Sequence, residues 1–267
     1  MGERKTIFIT GGGSGIGRAV ARRFAREGWL VGLADVNEAG LVETAALLPD
    51  GANWTRKLDV RDRAEWDAAL VEFSRVNGGR LDVLFNNAGV AHGGRFFENT
   101  QAEIDQLIDV NFRGVVYGAQ AAYPFLKSTP GSCLLNTASA AALYGSAGLA
   151  VYSATKFAVR ALTEALEIEW HGDGIKVRDL MPGFIDTPLL HSPAQRGSNA
   201  SKRDKVIESG LEFTPVETVA DAAWDAVQSP RLHHPVGKTA RRLAFASRWM
   251  PGRIRKQMKG VFGAGQP

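Results

Sequence analysis

The chain reads as an α/β protein built on one doubly wound parallel sheet with helices on both faces. Three observations predict this. Short β-branched and aromatic runs alternate with stretches of helical spacing along most of the chain, which is the rhythm of βαβ units. The first such run passes with no polar spacer into a glycine-rich turn, Thr10–Gly17 (TGGGSGIG), and from there into an amphipathic segment. At 267 residues and 45% hydrophobic content, the chain can bury one large core, and undivided α/β domains reach this length.

Thr6-Ile7-Phe8-Ile9-Thr10 is read as the first buried strand. From Arg18 to Gly28, Ala19, Val20, Phe24 and Ala25 recur at helical spacing, with Gly28 as the stop. Trp29–Ala34 is a second apolar strand and Asn53–Val60 a weaker third. Leu81–Phe85, Ser132–Thr137 and Ile175–Met181 follow, each after a helical stretch, and a last strand is expected near His234–Gly237. The polar, interrupted run Pro188–Ser209 is read as an insertion, and no internal repeat or low-complexity block is present.

Composition narrows the function. One cysteine, Cys133, excludes an intrachain disulfide framework and fits a reducing cytoplasm. No apolar run reaches transmembrane length, and a strand opening at Thr6 leaves no room for a signal peptide. No metal site is assigned. Nine of the 32 basic residues and none of the 28 acidic ones lie between Arg231 and Pro267. That leaves 23 against 28 in the preceding 230 residues, a net charge of −5 in a chain whose total is +4. The basic character belongs to the tail, and a nucleic-acid role for the main body is not supported.

Ligands of a doubly wound sheet bind at the carboxyl ends of its strands. A strand, a glycine turn and a helix in succession present free backbone N–H groups at a helix N-terminus, where an anion such as a pyrophosphate is favoured. The spacing Gly11, Gly15, Gly17 differs from the commonest dinucleotide fingerprint, and alone it would also suit a tight turn. Asp35 closes the second strand, 18 residues beyond Gly17. A carboxylate there can accept hydrogen bonds from ribose hydroxyls and repel a 2′-phosphate; alternatively it begins a surface turn before Asn37. The third and fourth strands end in Leu58-Asp59-Val60 and Asn86-Asn87-Ala88-Gly89. Ser139 lies just past the fifth, and Tyr152 and Lys156 share a face of the next helix. A buried ammonium beside a phenol favours phenolate and pulls its pKa down from about 10, which makes Tyr152 a candidate general acid/base.

In these motifs the chain resembles the classical short-chain dehydrogenase/reductase family. The resemblance rests on Thr10-Gly11-x-x-x-Gly15-x-Gly17, Asn86-Asn87-Ala88-Gly89, Asn111, Ser139, Tyr152-Ser153-Ala154-Thr155-Lys156 and Pro182-Gly183-Phe184-Ile185-Asp186-Thr187, in family order from Thr6 to about Gln228. It implies a Rossmann-like fold and an NAD(H)-dependent oxidoreductase interconverting a hydrophobic secondary alcohol and its ketone. Tyr152 would exchange the proton with the substrate oxygen, and Ser139 would hold that oxygen. Lys156 would bind the nicotinamide ribose and lower the tyrosine pKa, and Asn111 would support a water-linked proton relay. Cofactor contacts are implied for Thr10, Gly11, Ser14, Gly15, Ile16, Gly17, Asp35, Asp59, Val60, Asn87, Ala88, Gly89, Tyr152, Lys156, Pro182, Gly183, Ile185 and Thr187. Asp35 implies NAD over NADP, and no Arg or Lys occupies the Gly12–Ser14 turn.

The substrate region is less diagnostic. Ala140, Ala141, Leu143, Tyr144, Phe184, Leu189 and Leu190 suggest an apolar pocket for a small apolar alcohol or ketone, or simply packing under a loop. The expected organisation is a dinucleotide-binding and catalytic unit over residues 1–237, with a substrate loop at about 184–213, and a basic amphipathic extension over 238–267. A homodimer through the helices around Asn111–Lys127 and Val151–Trp170 is expected, with a homotetramer as the alternative. A 3-ketoacyl-type reductase and a non-catalytic dinucleotide sensor are the competing functions. Pro251-Gly252 should break the tail into two amphipathic helices. These should pack on the acidic body or a twin subunit and border the active-site mouth or dimer interface, with membrane-surface contact as the less favoured outcome.

Overall fold

A computed structural model of the chain describes residues 4–191, 203–204, 207 and 212–263, without the side chains of Leu189, His191 and residues 260–263. Seven parallel strands form one sheet in the order β3-β2-β1-β4-β5-β6-β7. The strands are β1 (Thr6–Thr10), β2 (Leu30–Asp35), β3 (Asn53–Lys57), β4 (Val83–Asn86), β5 (Cys133–Thr137), β6 (Lys176–Pro182) and β7 (His233–Val236). The topology reverses between β1 and β4, so the crevice for a ligand opens at their carboxyl ends. Most of the predicted insertion Pro188–Ser209 lies outside the described residues.

β1 shows why the central strands read as continuous apolar runs. Successive side chains point to opposite faces. Ile7 and Ile9 enter one apolar cluster with Val20, Phe24, Val31 and Leu33. Phe8 enters the other with Trp66, Phe73 and Leu84. Helices cover both faces: α1 (Gly15–Arg26) and α2 (Glu38–Ala45), then α3 (Arg63–Val76), α4 (Gln101–Ile108), α5 (Gly114–Ser128) and α6 (Ala150–Glu169). A four-residue α7 (Pro188–His191) precedes α8 (Val216–Gln228), which packs against α1. Val20 and Phe24 are fully buried on α1, each contributing roughly 1.5–3 kcal/mol.

The predicted boundaries shift by a few residues for local reasons. Helix α1 starts at Gly15, not Arg18, because the last glycines of the turn already belong to it, and Gly28 beyond its end takes φ +81°. Trp29 precedes β2 and packs edge-on against Phe24, 5.0 Å away. β3 ends at Lys57, since the Asp59 N–H donates to the Glu65 carboxylate at 2.6 Å and turns the chain out of the sheet. β7 is tied to its neighbours by His233, whose ring nitrogens lie 2.9 Å from Asp179 Oδ2 and 3.1 Å from Glu164 Oε1.

Past β7 come α9 (Lys238–Trp249) and α10 (Pro251–Gly263), divided at Met250. Proline suits the first position of a helix, where its missing N–H costs nothing. Ala240 and Ile254 anchor the two helices by burial, and α9 packs on β7 and on the short 3-10 turn 140–142. Among the described residues, no helix is long and apolar enough to cross a membrane.

Candidate active site

The carboxyl ends of β1 and β2 frame the first part of the site. Gly11 (φ +67°) and Gly15 (φ +50°) adopt left-handed backbone conformations that favour glycine. A Cβ at Gly17 would collide with the carbonyl of Gly11, so the start of α1 can lie against the end of β1 only with glycine there. Ser14 occupies the N-cap without a side-chain cap hydrogen bond. The first helical N–H groups, at Gly15, Ile16 and Gly17, have no acceptor within the helix. Thr187 closes over this turn, its Cγ2 lying 3.2 Å from where a Gly15 Cβ would stand. These features fit a pyrophosphate, which needs close backbone approach and a helix N-terminus.

At the end of β2, Asp35 Oδ2 accepts from the Gly13 N–H and Oδ1 from the Asn37 N–H, each at 2.9 Å. The carboxylate therefore braces the turn it faces, and each oxygen keeps a lone pair for another donor. Asp59 has a different fate. Arg61 chelates both its oxygens at 2.6–3.0 Å, and this guanidinium holds the Asp59 carboxyl below the ordinary carboxylate range. Val60 is buried in the apolar cluster with Trp66, and its carbonyl accepts from the Trp66 indole. Its side chain serves the core.

Thr10 also works from beneath. It is buried, and its hydroxyl oxygen accepts from the N–H groups of both Asn87 and Ala88 at 3.1 Å. Asn87 returns the bond, donating to the Thr10 carbonyl at 3.0 Å, and accepts from the Thr137 hydroxyl at 3.2 Å. The ends of β1, β4 and β5 are thereby fixed relative to one another. Asn111 sits in a single π-helical turn, Asp109–Arg113, between α4 and α5; such bulges recur at functional sites. It is fully buried, its amide exchanging hydrogen bonds with the Val90 backbone at 2.8 and 2.9 Å and reaching Thr155 Oγ1 at 3.4 Å.

Ser139, Tyr152 and Lys156 meet at the end of β5. Ser139 accepts from the Ala141 N–H at 3.1 Å, and its hydroxyl lies close enough to the Tyr152 phenol to favour the phenolate. Lys156 is buried, donates to the Thr137 carbonyl at 2.8 Å and lies 5.8 Å from the centre of the Tyr152 ring. The Cβ position of Gly89 is 3.3 Å from Asn111 Oδ1 and 3.7 Å from Lys156 Nζ, so Gly89 separates the two. Burial pushes the Lys156 ammonium down to about 8. The Tyr152 phenol moves the other way: burial raises it above its ordinary value, and the Ser139 hydroxyl opposes that rise without cancelling it. The sequence predicts a phenol lowered by the lysine. In the structure desolvation wins, because the ammonium is aimed at a carbonyl.

The candidate substrate residues divide. Ala140, Ala141, Leu143 and Tyr144 follow Ser139 directly, but Ala141 is buried and Leu143 packs on the cluster of Val115, Ala138, Ala142, Val159 and Met181. Phe184 and Leu190 are part-buried, and the side chain of Leu189 lies outside the described residues. Pro182 ends β6 beside Gly183, and Ile185 is a core residue bridged to Thr214. The sequence reading missed Thr155 and the Thr137 carbonyl. Thr155 accepts from Asn111 and donates to the Tyr152 carbonyl at 2.7 Å; its place between Tyr152 and Lys156 was the only signal available.

Comparison with known proteins settles the class. The family model described as short chain dehydrogenase matches residues 5–196, and the chain belongs to that family. It is 38% identical over 222 residues to meso-2,3-butanediol dehydrogenase of Serratia marcescens, covering 83% of this chain and 87% of that one. A short-chain dehydrogenase/reductase from Burkholderia phymatum, solved in complex with NAD, superposes with a TM-score of 0.79 at 27% identity, over 96% of this chain and 97% of that one. A 3-ketoacyl-(acyl-carrier-protein) reductase from Brucella melitensis, complexed with NADH, gives 0.75 at 31% identity, over 87% and 96% of the two chains. The chain is thus an oxidoreductase of the short-chain dehydrogenase type.

Proposed function

We propose that the protein is an NAD(H)-preferring dehydrogenase of a hydrophobic secondary alcohol, with Tyr152 as proton donor and acceptor. The observation that carries this is the convergence of the Ser139 and Tyr152 hydroxyls beside buried Lys156, at the same sheet edge as the Asp35 carboxylate. Tyr152 Oη takes the hydroxyl proton in oxidation and returns it in reduction, and Ser139 Oγ holds the substrate oxygen within reach. Lys156 and Asn111 complete the set: the lysine holds the nicotinamide ribose, and Asn111 fixes the backbone beside it. The turn Gly11–Gly17, with Ser14, Ile16 and Thr187, holds the pyrophosphate; Asp35 accepts from the adenosine ribose hydroxyls. When bound, the nicotinamide supplies the hydride acceptor or donor and, oxidised, a positive charge that favours phenolate. The diol dehydrogenase relative and the NAD-bound neighbour support this reading.

Assembly as a homo-oligomer is part of the proposal. Ala154, Phe157, Ala161, Ala165 and Ile168 form an exposed apolar stripe along α6, with Ile168 79% exposed, which suits a second copy. The competing reading, a 3-ketoacyl reductase, draws support from the Brucella neighbour, whose complex contains NADH. Side-by-side kcat/KM with NAD and NADP, over secondary alcohols, ketones and a 3-ketoacyl thioester, tests both. Preference for NADP, or turnover confined to the thioester, overturns the first reading.

A further inference from the structure

The tail carries a feature that the proposed chemistry does not use. From α9 into α10, Arg241, Arg242, Arg248, Arg253, Arg255, Lys256 and Lys259 are all exposed. The sequence predicts that the acidic body attracts them. Among the described residues, none of the seven pairs with a carboxylate, and the tail's ion pair to the body is Lys238–Glu212 at 3.4 Å. The two helices are held to the protein by other means, the burial of Ala240 and Ile254.

The exposed face of α9 is also aromatic. Phe245 is 61% exposed and Trp249 66%, and the Arg248 guanidinium lies 5.5 Å from the Trp249 ring centre. At 100° per residue, Arg241, Arg242, Phe245, Arg248 and Trp249 fall within an arc of about 120°. The two rings lie inside that arc with arginines at both margins, and buried Ala240 points away from it. Leaving two large rings in water is unfavourable by their apolar area, and seven unneutralised cations repel one another. An occupant that removes both costs must offer an anionic plane and an apolar layer just beneath it.

We propose that this face of α9, extended by the cations of α10, docks on an anionic lipid bilayer surface. Phe245 and Trp249 enter the headgroup boundary and the arginines and lysines contact lipid phosphates. The helices lie on the surface and do not span it, in keeping with the absence of a spanning helix among the described residues. A folded protein partner would have to match the cations individually, and a nucleic acid offers no apolar layer for Phe245. Because α9 also packs on the 140–142 turn next to Ser139, docking brings the substrate side of the protein close to the lipid.

The test is co-sedimentation of the full chain with phosphatidylcholine vesicles, with and without phosphatidylglycerol, at low and high salt. Binding should require phosphatidylglycerol and weaken with salt. The triple variant Arg241→Gln/Arg242→Gln/Arg248→Gln should partition about fivefold less per arginine, roughly one hundredfold in all. Phe245→Ser/Trp249→Ser should lose at least about tenfold. Both variants should keep the parent's circular dichroism and its turnover without lipid. Equal sedimentation with neutral vesicles, or parent-like binding by the aromatic variant, overturns the proposal. So does a fall in oligomer mass in either variant, which would make the face a subunit contact. Binding of a short duplex DNA in preference to the vesicles overturns it equally.

Discussion

Lys156 Nζ donates to the carbonyl oxygen of Thr137 at 2.8 Å, which anchors the ammonium to the end of β5 and not to the Tyr152 ring one helical turn away. The lysine's charge is thus positioned by the sheet, while the tyrosine's phenol answers to burial and to the nearby Ser139. Each of the groups can be perturbed separately, and the consequences differ.

Tyr152→Phe removes one hydroxyl and no packing volume. Turnover should fall by about 10²–10⁴ with unfolding midpoint and NAD affinity close to the parent's. In the proposed mechanism oxidation uses the phenolate and reduction the phenol; because burial raises the Tyr152 pKa, oxidation should then climb through the alkaline range while reduction declines. A flat pH–rate profile for single-turnover oxidation would contradict the assignment.

Lys156→Met tests a trade between function and stability. The folded-state pKa of about 8 lies below the ordinary 10.5, so the unfolded chain binds more protons between these values and stability rises with pH there. Below pH 8 the buried charge carries its full cost, roughly 3 kcal/mol, offset by about 1 kcal/mol for the bond to Thr137. Denaturant melts at pH 7 should show the variant more stable by about 2 kcal/mol, with the gap narrowing towards pH 10, while activity is lost. A variant less stable than the parent at pH 7 would show that the Thr137 bond outweighs desolvation.

Asp35→Ser should weaken NAD and relieve the exclusion of NADP, shifting the kcat/KM ratio by about 10–100-fold. Because Asp35 also accepts from Gly13 and Asn37, the melting temperature should fall even without cofactor. An unchanged ratio in side-by-side kinetics removes Asp35 from cofactor selection.

Ile168→Glu places a charge on the exposed stripe of α6, where Ile168 is 79% exposed. Light scattering should report a smaller assembly with an intact monomer fold. An unchanged mass would move the subunit contact elsewhere.

The sequence by itself determined what depends on near neighbours. The βαβ rhythm, the glycine turn, the order of motifs and the break at Pro251 follow from spacing, propensity and the missing proline N–H. These are local, and the strands and helices stand within a few residues of their predicted places. Only the tertiary structure decided how the polar groups were shared out. It turned the Thr10 hydroxyl to Asn87 and Ala88, gave Asp59 to Arg61 and sent Val60 and Ile185 into the core. It placed Asn111 in a π turn, raised the Tyr152 phenol where a lowered one was predicted, and, among the described residues, left the tail's cations from Arg241 to Lys259 without a carboxylate partner. Each outcome depends on desolvation and on which donor meets which acceptor, and both are set by residues distant in the chain that the fold brings together.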